Sequence, residues 1–213
     1  MSKETPPGIN ARLLSLLHHR AKTLRRGDGI GLPIAQTSTY FVPGPPEADY
    51  TYTRDGNPTW TAVETQLSIL ENAPAVAFPS GMGGIAAVLY TQLSPGDKIV
   101  LPSDGYFAVR ALVNEFVQPL GIEVVAWPTA SFDTAPINNA KLVWIETPSN
   151  PGLDTCDIKQ IAARAHAAGA LCVADNTTAT PYLQSPLDLG VDIVASSDTK
   201  AMAGHGDVQT GHL

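Results

Sequence analysis

Residues 141–175 read Lys141-Leu-Val-Trp-Ile-Glu146, Thr147-Pro-Ser-Asn-Pro-Gly-Leu-Asp-Thr-Cys156, Asp157-Ile-Lys-Gln-Ile-Ala-Ala-Arg-Ala-His-Ala-Ala168 and Gly169-Ala-Leu-Cys-Val-Ala-Asp175. The first and last pieces hold short continuous apolar runs, Lys141–Glu146 and Ala170–Ala174. Neither alternates with polar residues, which is the pattern of a strand covered on both faces. A helix over about Asp157–Ala168 lies between them. Strand, helix, strand in that order is the crossover unit of a parallel sheet.

The same alternation extends outward from this stretch. Toward the N-terminus the pattern predicts a helix over Thr59–Leu70, then an apolar run at Ala75–Phe78. A helix opened by Ser80-Gly-Met-Gly-Gly84 runs to about Leu93. A strand at Lys98–Leu101, a helix over Phe107–Leu120 and a strand at Glu123–Trp127 follow. Toward the C-terminus there is one more strand, Asp192–Ala195. The expected fold class is α/β, a mostly parallel sheet with helices on both faces.

Residues 1–59 have a different texture. The spacing from Arg12 to Arg26 predicts a short basic amphipathic helix, broken by Gly27-Asp-Gly-Ile-Gly31. A long segment through Pro43-Gly-Pro-Pro46 to Asn57-Pro58 has few helix or strand signals. Its aromatic residues Tyr40, Phe41, Tyr50 and Tyr52 point to an ordered arm packed on something. The expected organisation is an arm over 1–59 and a globular domain over 60–213.

A formal net charge of −7 over 213 residues argues against nucleic acid or an anionic membrane as partner. No apolar run reaches the length of a membrane span, and the polar, Pro-rich start from Met1 to Asn10 is unlike a signal peptide. Of the two cysteines, Cys172 lies inside an apolar run and reads as a buried small hydrophobe. That usage suits a reducing cytoplasm. The histidines show no metal-ligand spacing, no Gly-x-Ser-x-Gly elbow occurs, and Gly27–Gly31 follows no strand, so it is no dinucleotide fingerprint.

Ligands of parallel sheets bind beyond the carboxyl ends of the strands. The residues leaving those ends are Ser80-Gly81-Met82, Asp104-Gly105-Tyr106, Glu146-Thr-Pro-Ser-Asn150, Asp175-Asn-Thr177 and Ser197-Asp-Thr-Lys200. Together they hold an anion cradle at a helix start, an aromatic face, carboxylates, hydroxyls and a lysine. Such a set suits a phosphorylated, aromatic, aldehyde-bearing cofactor. Singly, each has a plainer reading: close helix–sheet packing for the glycines, a turn cap for Asp175, a core ring for Tyr106, a solvated charge for Lys200.

Five motifs stand in order along the chain: Tyr52-Thr-Arg54-Asp-Gly-Asn-Pro-Thr59, Ser80-Gly-Met82, Glu146-Thr-Pro-Ser-Asn-Pro151, Asp175-Asn-Thr-Thr-Ala-Thr-Pro181 and Ser197-Asp-Thr-Lys-Ala-Met-Ala-Gly-His-Gly-Asp207. They resemble those of the Cys/Met-metabolism enzymes that use pyridoxal 5'-phosphate (PLP), the cystathionine γ-lyase, β-lyase and γ-synthase family. The resemblance runs from about Gly31 to Gly211. It implies the aspartate aminotransferase-like fold (fold type I), PLP as cofactor, and Lys200 and Tyr106 as catalytic residues. Lys200 would hold the cofactor covalently and then shuttle protons, and Tyr106 would stack on its ring. Asp175 would hold the pyridine nitrogen protonated. Gly81, Met82, Ser197 and Thr199 would bind the phosphate, and Asn150 would sit near the phenolic oxygen. Tyr52 and Arg54 would reach the phosphate of a neighbouring subunit, across the dimer interface of a cytoplasmic homotetramer.

The wording of Trp144–Asp157 and Lys200–Asp207 is similar to that of bacterial γ-lyases. It implies γ-elimination of the small sulfur amino acid cystathionine to cysteine, 2-oxobutanoate and ammonia. γ-Synthase, β-lyase or O-acylhomoserine sulfhydrylase chemistry would use the same pocket. Two departures carry further expectations. Tyr106 precedes Phe107-Ala108-Val109 where the family commonly has Y-G-x-T, which alters the wall beside the ring. Family members also continue into a C-terminal domain that supplies an arginine for the substrate carboxylate. Residues 60–213 are therefore expected to be an incomplete PLP-binding large domain, and the chain by itself to bind PLP without a complete catalytic site.

Overall fold

The computed structural model describes residues 8–45 and 47–213. The start of the polar Met1–Asn10 stretch, up to Pro7, lies outside the described residues, as does Pro46 of the proline-rich loop. The chain divides into two compact units, one up to Ala77 and one from Phe78 onward. The change of sequence texture at Thr59 therefore falls inside the first.

In the first unit, helix α1 (Ile9–His18) packs on helix α2 (Pro58–Glu71). Arg12 is buried between them and its guanidinium donates to the Leu70 carbonyl. The helix expected over Arg12–Arg26 is shorter and earlier than its spacing suggests. It ends at His18, and only a 3₁₀ turn, Arg20–Lys22, follows. The weak helix formers His18, His19 and Thr23 mark the break. The segment before α2 has almost no regular structure, yet it is held in place. Asn57 caps α2, accepting from Thr59 N–H at 2.8 Å, and its amide donates to the Ala35 carbonyl. Thr59 Oγ1 accepts from Ala35 N–H, a single bridge pairs Thr39 with Tyr52, and the rings of Tyr40 and Tyr50 lie 5.7 Å apart. Side-chain bonds, a ring pair and a few backbone bonds thus hold this segment where regular structure is scarce.

Strand β1 (Ala77–Phe78) crosses into the second unit. There the order is α3 (Gly81–Gln92), β2 (Lys98–Pro102), α4 (Phe107–Leu112), β3 (Glu123–Trp127), β4 (Leu142–Glu146), α5 (Ile158–Ala167), β5 (Leu171–Asp175), α6 (Thr180–Leu183), β6 (Ile193–Ala195) and β7 (Gly211–His212). Strands β2 to β6 form one sheet, all parallel, in the order β3-β2-β4-β5-β6. The chain goes outward from β2 to β3, then crosses over to β4 on the other side. The loops after β2 and β4 therefore part at the sheet's switch point, where a crevice opens.

The apolar runs do not alternate because both faces are covered. Val100, Val143, Ile145, Cys172, Ala174 and Val194 point to a layer built with Ile158, Ile161, Ala162 and Ala165 of α5. Their neighbours Ile99, Leu101, Leu142, Trp144, Val173 and Ala195 meet Ile85, Val88 and Leu89 of α3 and the helical stretch after Tyr106. Cys172 is fully buried, and burial pushes its thiol up to about 12.

The helix expected over Phe107–Leu120 is α-helical only to Leu112. It widens to a π-turn over Val113–Val117 and ends in a 3₁₀ turn, Gln118–Leu120. Pro119 has no N–H and cannot continue the i→i−4 ladder, so the final turns change register before Gly121 closes them at φ +87°. Among the described residues no helix is long and apolar enough to cross a membrane.

Ile161 is wholly buried beneath the sheet. Ile161→Ala is expected to cost about 2–5 kcal/mol, read as a lowered urea midpoint with an unchanged slope. A loss below about 0.5 kcal/mol would contradict this packing.

Candidate functional site

At the carboxyl ends of β2, β4, β5 and β6 a cavity of about 170 Å³ opens in the second unit. Its lining includes Ser80, Gly81, Met82, Tyr106, Glu146, Asn150, Asp175, Thr177, Ser197, Thr199 and Lys200. Eight residues expected from the sequence to act on the cofactor are thus brought together, from five separate stretches of chain.

The anion cradle is built from helix geometry. Ser80, extended at φ −164°, caps α3 by accepting from Gly83 N–H at 3.1 Å. The first N–H groups of a helix have no acceptor of their own, and those of Gly81 and Met82 come first. Gly81 allows the turn after β6 to come close. A Cβ on Gly81 would lie 2.7 Å from Ser197 Cβ and 3.1 Å from Ser197 Oγ. Gly211 allows the same approach from behind, since its Cβ would fall 2.5 Å from the Gly81 backbone. Helix start and Ser197 hydroxyl therefore converge on one small polar space.

Lys200 follows on the same turn and lines the cavity with its side chain exposed. Backbone bonds fix the turn, with Lys200 N–H donating to the Ser197 carbonyl and Thr199 N–H to the Thr210 carbonyl. The Thr199 hydroxyl donates to that same carbonyl at 3.1 Å and accepts from Thr210 N–H at 3.0 Å. These bonds tie the Thr199 side chain to the Thr210 backbone on the turn that also carries Ser197 and Lys200. Behind the turn Asp198 bonds His212 Nδ1 at 2.9 Å, both side chains buried.

Asp175 ends β5 and is buried. Burial raises its carboxyl above the usual range, and bonds from the Thr177 hydroxyl and N–H draw it partly back. Oδ1 caps the turn at 3.0 Å from Thr177 N, and the residue also lines the cavity. A cation brought against this carboxylate would offset its burial cost. Tyr106 opens α4 with its ring set edge-on to Phe107, centroids 5.0 Å apart.

Tyr52 and Arg54 belong to the first unit. The Arg54 guanidinium sits 5.0 Å over the Tyr52 ring and 3.7 Å from Asp55, with Arg54 and Asp55 both well exposed.

Glu146, the last residue of β4, and Thr177 stand in the strand-end stretches with no individual role assigned by the motifs, and both line the cavity. Glu146 is 5% exposed. Oε2 accepts from Tyr106 N–H at 2.6 Å and Oε1 from Asn150 N–H at 2.9 Å. Burial pushes its carboxyl up to about 7 against the pull of these two N–H groups, with Asp175 and Asp104 adding repulsion. The one available signal was a carboxylate ending a wholly apolar strand.

A buried carboxylate, a helix-start cradle and a lysine at the ends of parallel strands form a donor set that fits PLP. Together with the sheet they give the arrangement of the PLP-binding fold type I. The chain belongs to the Cys/Met metabolism PLP-dependent enzyme family, which it matches over residues 15–213. A Streptomyces coelicolor relative, provisionally named cystathionine gamma-lyase, is 49% identical over 82% of this chain and 46% of its own length. L-Methionine gamma-lyase of Fusobacterium nucleatum is 40% identical over 85% of this chain and 50% of its own. Cystathionine gamma-lyase of Lactobacillus plantarum, solved with L-serine, superposes with a TM-score of 0.83 at 35% identity, over 94% of this chain and 54% of that one. The chain spans about half the length of the curated relatives it matches.

With its pKa raised from 4.5 to about 7, folded Glu146 holds a proton that the unfolded chain releases between those values. Its contribution to stability therefore declines as pH rises across that window, by about 3 kcal/mol at most. Urea unfolding of the cofactor-free protein at pH 4.5 and 7.5 should show this decline relative to Glu146→Gln. Equal pH dependence in the two proteins would contradict it.

Proposed function

We propose that the protein carrying this chain is a PLP-dependent carbon–sulfur lyase that releases sulfur from the γ-carbon of cystathionine, giving cysteine, 2-oxobutanoate and ammonia. The observation that carries the reading is that Lys200, Asp175 and the Ser80-Gly81-Met82 turn line one cavity. The choice of cystathionine is supported by the 49% identity to the Streptomyces relative. Relatives named L-methionine gamma-lyase and cystathionine beta-lyase, at 40% and 41% identity, support a second reading with methionine or with β-elimination.

Bound PLP supplies a protonated ring that withdraws electrons from the Cα of a joined amino acid. In this reading Asp175 accepts the ring N–H and keeps that proton in place. The N–H groups of Gly81 and Met82 and the hydroxyls of Ser197 and Thr199 would bind the phosphate. Tyr106 covers the ring face, and Asn150 faces the phenolic oxygen. Lys200 would anchor the cofactor through Nζ, and once released by the substrate the Lys200 amine would move the proton at the substrate Cα. Tyr52 and Arg54 serve the phosphate of a second protomer in a homo-oligomer, for which their exposure leaves them available. The buried Cys172 thiol suits a cytoplasmic protein.

Incubated with PLP, the purified protein should gain a visible absorbance band and a borohydride-trapped adduct, both lost in Lys200→Ala. An adduct that survives the substitution would remove Lys200 from the mechanism. With cystathionine the expected products are 2-oxobutanoate and cysteine. Pyruvate and homocysteine as main products would establish β-elimination, and methanethiol from methionine at a higher kcat/KM would move the substrate assignment.

A further inference from the structure

Two loops that leave adjacent strands carry the side chains assigned to the ring: Tyr106 after β2 and Asn150 after β4. One carboxylate joins them. Glu146 Oε2 and Oε1 each accept one backbone N–H, from Tyr106 at 2.6 Å and from Asn150 at 2.9 Å. We propose that Glu146 is a positioning residue, a two-oxygen clamp that sets the Tyr106 ring and the Asn150 side chain relative to one another. This rests on the cofactor reading of the cavity given above.

The surroundings are built for that clamp. Gly105, immediately before Tyr106, is buried, and a Cβ there would lie 2.6 Å from Oε2 and 3.3 Å from Pro102 Cβ. The carboxylate thus occupies space that any other residue at 105 would fill. The Tyr106 loop is anchored on its far sides as well. Arg110 Nε donates to the Gly105 carbonyl, and Asp104 accepts from the N–H and hydroxyl of Thr129.

Two converging N–H donors need two acceptors. A glutamine in the same place offers one and turns its NH₂ against the other donor. An aspartate is one methylene shorter. The carboxylate is kept here despite burial and despite Asp175, its register partner at the end of β5. Filling space alone would be done more cheaply by an uncharged side chain.

The test compares wild type, Glu146→Gln, Glu146→Ala, Gly105→Ala and the double variant Gly105→Ala/Glu146→Ala. Without cofactor, amide hydrogen exchange at Tyr106 and Asn150 should quicken together in Glu146→Ala, and mainly at Tyr106 in Gly105→Ala. With PLP added, the dissociation constant should rise roughly 10- to 100-fold in Glu146→Ala. The visible circular dichroism of the bound cofactor, which follows ring orientation, should change. The double variant should be no weaker than Glu146→Ala, because both substitutions remove the same contact.

Additive losses in the double variant would overturn the clamp. So would a lowered Tm with unchanged PLP affinity and dichroism, which would leave Glu146 a purely structural residue. If Glu146→Ala does not fold, Glu146→Gln, which keeps volume and one acceptor, carries the same comparisons with exchange quickened at one of the two amides. A wild type that binds no PLP while both amides respond as described would refute the cofactor reading and leave the link between the loops standing.

Discussion

At Gly81 the first turn of α3, the Ser197 turn and β7 meet with no side chain between them. A Cβ at 81 would fall within 2.7 Å of Ser197, and one at 211 within 2.5 Å of Gly81 itself. This approach brings unsatisfied helix N–H groups next to a hydroxyl and three residues from Lys200. The rest of the second unit supports it. Ser196 exchanges backbone bonds of 3.0 Å with His212, Thr199 is tied to Thr210, and Asp198 is paired with buried His212.

The second organising constraint is charge. Asp104, Glu146 and Asp175 stand at the ends of three neighbouring strands, and burial raises Glu146 and Asp175. In a chain of net charge −7, such a cluster is stable only because backbone N–H groups and hydroxyls reach it from neighbouring loops. A ligand with positive charge on its ring and negative charge at its phosphate would match this arrangement. The acids lie at the strand ends, and the anion cradle lies at the start of α3. One sheet edge thus presents both polarities over a short distance.

Much of the architecture was legible. β3 runs over Glu123–Trp127 as its apolar pattern indicated, and the other four strands of the five-stranded sheet shift by a residue at most, whereas β7 (Gly211–His212) had no sequence signal. Continuous apolar runs announce burial on both faces, and strand order along the chain announces parallel pairing. The departures have local causes of a kind periodicity misses. Pro119 alters hydrogen bonding upstream of itself, and the run of weak formers near His18 ends α1 early. The bond from Tyr106 to Glu146 has another cause: the two residues are 40 apart in the chain, and no short-range pattern records their pairing.

By itself the sequence determined the parallel α/β class, the order of the motifs and the residue types at each strand end. Those follow from hydrophobic periodicity and from turn chemistry, which act within a few residues. Tertiary structure alone decided which groups face one another. It closed the Thr199 hydroxyl onto Thr210, joined Tyr106 and Asn150 through Glu146, and pressed Gly81 against Ser197. These contacts depend on distances between strands distant in the chain, and such distances exist only once both faces of the sheet are buried.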